Sequence, residues 1–171
     1  FTATAAGAVN GDTFTLTASS TATASSPVGT YAIVPAATGA NLASYNVVYV
    51  NGTLTVGKAT PVVIWANPAG ISYGTPLSAT QLDATSVTPG SFVYTPAAGA
   101  VLPVGTDTLS VTFTPTDTTT YTSVTQTATI TVGQATLTVT AANASRAFGA
   151  ANPVFTATAA GAVNGDTFTL T

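Results

Sequence analysis

The chain contains no cysteine, histidine, methionine or glutamate; its five acids are all Asp, and Lys58 and Arg146 are its only cations. Without Cys or His it cannot build a zinc finger, ligate haem through those residues, or hold an iron–sulfur cluster. A thiol nucleophile and a Ser–His–Asp triad are excluded on the same ground. Two cations make no electrostatic footprint for nucleic acid. Charged residues fill 4% of the 171 positions, against roughly a quarter in an ordinary soluble protein. Long apolar runs are missing too. Pro61–Ala66 and Val47–Val50 fall far short of the ~20 residues that a spanning helix requires. The mean hydropathy of +0.46 therefore comes from Ala and Val spread along the chain, and no membrane span or signal peptide is expected. No residue set stands out as catalytic, cofactor-binding or metal-binding, so no cofactor is expected and the chain is not read as an enzyme.

What is present is Thr and Ala, the two commonest residue types, arranged in repeats. Residues 1–17, FTATAAGAVNGDTFTLT, recur unchanged at 155–171, an offset of 154. A second, diverged repeat lies within the first. Pro27–Thr30 (PVGT) returns at Pro103–Thr106, Asn41-x-x-x-Tyr45 is echoed by Asp117-x-x-x-Tyr121, and Thr53–Thr60 matches Thr129–Thr136, each at an offset of 76. Tyr73-Gly74 and Phe148-Gly149 follow at 75, which implies one deletion. Such self-similarity marks a repeat architecture. The expected organisation is the C-terminal part of one module at 1–57, a complete module at 58–133, and the N-terminal part of a further module at 134–171. On this reading the chain is a window of a longer repetitive protein, and only 58–133 closes a core from contiguous sequence.

Thr alternates with apolar residues at period two over Thr53–Val56, Leu109–Thr114, Thr127–Val132, Thr136–Thr140 and Thr167–Thr171, the pattern of half-buried strands. Gly and Pro fall between them; Asn51-Gly52 reads as a type I′ hairpin and Asn10-Gly11-Asp12 as a second turn. Short strands in so small a module predict an all-β sandwich. Trp65, Tyr73, Phe92, Phe113 and Tyr121 are its candidate anchors. Tyr45 and Tyr121, at matched positions, fit a tyrosine corner whose hydroxyl bonds nearby backbone. Gly57 and Gly133, in Val-Gly-Lys/Gln-Ala-Thr, are the expected hinges between modules.

The stretch from Lys58 (KATPVVIWANPAGISYGTP) to Val132 (TITV) resembles the bacterial Ig-like, Big-type repeats of very long secreted proteins. The stretch from Gln134 (QATLTVTAANASRAFGAANPVFTATAAG), continuing in Ser26–Val56, resembles the MBG type of bacterial Ig-like domain. The resemblance implies tandem Ig-like β-sandwiches forming an extended rod. It implies the role of a structural repeat unit in a bacterial stalk, adhesin or filament, extracellular or on the cell surface. The alternative is a carbohydrate- or protein-binding module of a surface adhesin, for which Trp65 beside Asn67-Pro68 is the one candidate anchor. Expected partners are neighbouring copies of the chain itself, end to end and sideways, with a glycan coat as a further option; nucleic acid is not expected.

The Asp residues are Asp12, Asp83, Asp107, Asp117 and Asp166, no two of them within eight positions. Calcium, which takes six to eight oxygens, gains no carboxylate cluster from such spacing, and Asp12 and Asp117 read as turn residues. Lys58 lies at a module junction, a poor place for a buried Lys–Asn cross-link. Asn51-Gly52-Thr53 and Asn143-Ala144-Ser145 match the N-glycosylation acceptor pattern, but in a Thr-rich chain such matches arise readily.

Overall fold

The computed structural model describes residues 2–169. The chain is all-β: among the described residues, eleven strands and one short 3-10 turn at Leu42–Ser44 make up the regular structure. It divides into two compact units. The first runs to Thr60 and includes Asp117–Thr122; the second comprises Pro61–Thr116 and the chain from Ser123.

In the first unit, β1 (Thr15–Ser19), β2 (Gly29–Thr38) and β3 (Gly52–Val56) form an antiparallel sheet in that order. The second unit begins with the short strands β4 (Val63–Ile64), β5 (Ile71–Ser72) and β6 (Thr85–Ser86). The longer β7 (Gly90–Thr95), β8 (Gly105–Pro115) and β9 (Val124–Gly133) follow. They build a four-stranded sheet in the order β5-β9-β8-β7, with β4 and β6 paired separately. Finally β10 (Thr138–Ala141) and β11 (Ala157–Ala160) make an antiparallel pair.

The diverged repeat, at its offset of 76, is visible in the hydrogen-bond register. β2 pairs with β3 as Gly29 with Val56, and β8 with β9 as Gly105 with Val132. Thr15 faces Thr38 across β1 and β2, and Ser91 faces Thr114 across β7 and β8. Every one of these positions is displaced by 76. The ladders differ in length: β2–β3 ends at Ile33 with Gly52, whereas β8–β9 continues to Phe113 with Val124.

Burial separates the two sheets. The alternation in β8 and β9 turns Leu109, Val111, Ala128, Ile130 and Val132 inward, where Trp65, Leu77, Leu82, Ala84 and Leu102 cover them. Full burial of each large apolar side chain contributes roughly 1.5–3 kcal/mol. Phe113 is likewise buried, 4.9 Å from Phe92 between ring centroids. A Cβ on Gly90 would stand 2.5 Å from the Phe113 ring, so only glycine fits there. In the first unit the matching pair is Phe14 and Ala37, large and small in reverse order. The same alternation there buries nothing fully: every residue from 2 to 60 keeps some exposure.

Of the two expected turns, one forms. Asn10 (φ 56°) and Gly11 (φ 77°) occupy the left-handed region together, the signature of a type I′ turn. Asn51-Gly52 does not; Gly52 opens β3 opposite Ile33. Of the expected strand Thr167–Thr171, residues 167–169 lie outside any strand and the last two lie outside the described residues.

Candidate functional site

The first unit carries a groove of about 660 Å³ over one face of its sheet. Phe14 and Leu16 of the β1 arm, Ile33 and Pro35 of β2, and the flanking segments 2–8 and 45–50 line it. The lining arises from period two: Ile33 and Pro35 share one face of β2, as their equivalents Leu109 and Val111 share the buried face of β8.

One polar network closes the groove near the Asn10-Gly11 turn. The Tyr45 hydroxyl donates to Asp12 Oδ2 at 2.6 Å and accepts from the Val9 N–H at 3.1 Å. Asn41 Nδ2 donates to Asp12 Oδ1 at 2.6 Å. The Phe14 and Tyr45 rings meet edge to face at 5.1 Å. The bonds from Tyr45 and Asn41 hold the Asp12 carboxyl below its ordinary range, and the Asp12 contact in turn raises the Tyr45 phenol. A single carboxylate held by two neutral donors fixes a turn and supplies no general acid–base pair.

Tyr45 thus reaches 33 and 36 positions back along the chain, not to backbone a few residues upstream as a tyrosine corner does. Tyr121 makes no side-chain hydrogen bond among the described residues; its backbone bridges Ala59 in parallel. A hydroxyl-to-upstream-backbone bond does occur, from Tyr31 to the Pro27 carbonyl at 2.7 Å. Tyr31 follows the PVGT landmark directly, and that adjacency is the signal which could have singled it out. Its counterpart at offset 76 is Asp107, whose Oδ2 is buried without a partner.

Trp65 is 7% exposed. Its indole N–H donates to the Gln81 carbonyl at 3.1 Å and its ring meets Tyr94 edge to face at 5.4 Å. Burial pushes the Tyr94 phenol up. A tryptophan so enclosed anchors the core and offers no surface to a ligand. Gly133 ends β9, paired in parallel with Ser72, and its carbonyl accepts from Tyr73 N–H at 2.8 Å. Gly57 lies beyond β3 with open space around its missing Cβ. Lys58 Nζ donates to the Thr118 carbonyl at 2.7 Å, and Asp117 caps its own turn through Thr119 N–H and Thr120 N–H. The Thr119 hydroxyl, which also donates to Asp117 Oδ1, is the largest of the causes that hold the Asp117 carboxyl well below the usual carboxylate range, with Thr120 and the backbone donors adding to it. Among the described residues no cluster of three Asp side chains converges to hold a metal ion.

Gly74 (φ 92°) and Gly149 (φ 80°), the glycines of the two aromatic–Gly pairs, both adopt the left-handed conformation that favours glycine. The searches of curated proteins and of solved structures found no match. A family model does match, that of the MBG domain (YGX type), over residues 1–55 and 137–171. The Phe148-Gly149-Ala150 copy of the landmark lies inside the matched residues, and Tyr73-Gly74-Thr75 outside them. Since the match takes in more than half of the chain and both copies of the unchanged repeat, the protein belongs to the MBG domain (YGX type) family.

Proposed function

We propose that the chain is a structural repeat unit of an extracellular bacterial stalk, adhesin or filament, in which MBG modules alternate with diverged Big-type modules equivalent to residues 58–133. The observation that carries this reading is repetition at two scales: an unchanged sequence at an offset of 154, and one strand register reproduced at 76. A catalyst needs one site, whereas regular spacing along a chain serves length. Repeats that contact mainly their neighbours generate such extended objects. Gly57, free of close neighbours, is the hinge in this arrangement. The low charge supports sideways association, because like-charge repulsion and protective Lys on edge strands are scarce.

The rod is testable by length. The 11 residues of β8 span about 36 Å, so a repeat of two modules adds ~70 Å to the rod. X-ray scattering on chains of one, two and three repeats should show the maximum dimension growing in steps of that order. A compact particle whose size rises only with the cube root of mass would refute it. Protease shaving of intact cells tests the location: release of repeat peptides from unbroken cells is expected, and full protection overturns the extracellular assignment.

A further inference from the structure

The complete module contains a template for what the first unit lacks. There the inward faces of β8 and β9 are sealed by residues 61–86, which bring Trp65, Leu77, Leu82 and Ala84 onto the sheet. The first unit presents the same sheet in the same register, yet Phe14, Leu16, Ile33 and Pro35 face an open groove. The landmark Tyr73-Gly74 corresponds to Phe148-Gly149, so the covering segment of the first unit corresponds to residues 134–154.

That segment already shows its preferred partner. β10 pairs with β11, Ala157-Thr158-Ala159-Ala160, which is residue for residue Ala3-Thr4-Ala5-Ala6. In the first unit this same sequence lines the groove and belongs to no strand. Like β4 in the complete module, β10 pairs antiparallel with a strand that follows it in the chain. At the offset of 76, Val139 corresponds to Val63, which packs against the core of the complete module. Both halves of the missing layer remain unsealed. Val139, Phe148 and Val154 are exposed on one side, Val48 and Val50 on the other.

We propose that the groove of the first unit is the docking site for the 134–154 segment of a neighbouring copy of the same repeat, an inference that rests on the tandem-repeat reading above. The incoming strand lies antiparallel to residues 3–6, with Thr138 opposite Ala6, Val139 opposite Ala5, Thr140 opposite Thr4 and Ala141 opposite Ala3. Val139 enters the groove beside Ala5. The parallel pairing of Ser72 with Gly133 transposes to Ala147 with Gly57, so that the Phe148 N–H donates to the Gly57 carbonyl as Tyr73 does to Gly133. Backbone hydrogen bonds to the free edge supply affinity, and the alternate side chains supply register.

A fluorescent synthetic peptide of residues 134–154, added to the full chain, tests this. Saturable one-to-one binding is expected, with hydrogen exchange slowed at Ala3–Ala6 and unchanged in β8. The same peptide carrying Val139→Asp should bind at least about tenfold more weakly, the effect of an unpaired carboxylate entering an apolar groove. Absence of saturable binding, equal binding of the Val139→Asp peptide, or protection confined to 157–160 each overturns the proposal. Because the assay uses purified chain, a repeat protein found inside the cell would refute the stalk reading and leave this result standing.

Discussion

Leu109 and Ile33 occupy the same register position in the two sheets, at the offset of 76, and truncating each to Ala should give unequal losses. Leu109 has no exposed surface and sits within the core that includes Trp65. Leu109→Ala removes its transfer energy and leaves a cavity that rigid strands on both sides cannot close, a loss of about 3 kcal/mol. Ile33 borders the open groove, so its truncation encloses no cavity and forfeits only part of the transfer term, about 1 kcal/mol. The assay differs for each unit. The chain has one tryptophan, Trp65, in the second unit, so urea unfolding followed by its fluorescence reports that unit. For a unit of this size, about 3 kcal/mol lowers the melting temperature by about 12–24 °C. Hydrogen exchange at the β2–β3 ladder reports the first unit. With the 134–154 peptide bound, the Ile33→Ala loss should rise toward the Leu109→Ala value, since the groove is then closed. Equal losses without peptide would refute the claim that one sheet is sealed and the other open. So would a Trp65 transition that Leu109→Ala leaves unmoved.

Gly90→Phe should destabilise the second unit by about 1–3 kcal/mol through overpacking against Phe113. Adding Phe113→Ala, which recreates the Phe14/Ala37 pairing of the first unit, should recover part of the loss, and a double-mutant cycle showing no coupling would sink the size-exchange reading. The lowered Asp12 carboxyl stabilises the first unit above the ordinary Asp value of about 3.9, and this contribution is lost as pH falls through the folded value. Exchange protection at β1 and β2 should therefore hold from neutral pH to about 5 and fall below about 4, a decline that Asp12→Asn flattens. Asp107→Asn gives the orphaned Oδ2 position a neutral group, so the Trp65 transition should stay or rise; a clear drop would mean the carboxylate has a partner. Val93, exposed on the edge strand β7, should when changed to Lys reduce light scattering in concentrated solutions.

The strands were legible in the sequence over Thr53–Val56, Leu109–Thr114 and Thr127–Val132, because period two is a local property of the chain; of the expected strand Thr136–Thr140 only 138–140 form part of one, β10. The aromatic–Gly pairs were legible as landmarks, and both glycines take a conformation that a side chain would resist. Asn51-Gly52 misled because its turn signal is also a compatible strand entry, and cross-strand pairing to Ile33 prevailed. The Tyr45 network was hidden for a different reason. Its partners Val9 and Asp12 stand 36 and 33 positions away, and spacing along the chain carries no record of that approach. Tyr31, the tyrosine making the local bond, escapes a search for matched tyrosines because its counterpart in the other repeat is Asp107.

The segment that occurs twice separates the two levels. In both copies the Asn-Gly turn forms with the same dihedral angles, 56° and 77°, and the following Asp N–H bonds back to Val. The conformational freedom of Asn-Gly decides this, wherever the segment sits. Among the described residues the strand before the turn exists in one copy only: Ala157–Ala160 pairs with β10, while Ala3–Ala6 belongs to no strand. Likewise Asp12 is held by Asn41 and Tyr45, whereas Asp166 has no such partner among the described residues. The sequence by itself determines turns and the face each strand residue prefers, since those depend on neighbours along the chain. Whether a strand forms, and whether its inward face is buried, depends on a partner arriving from elsewhere, and that only the tertiary structure decides.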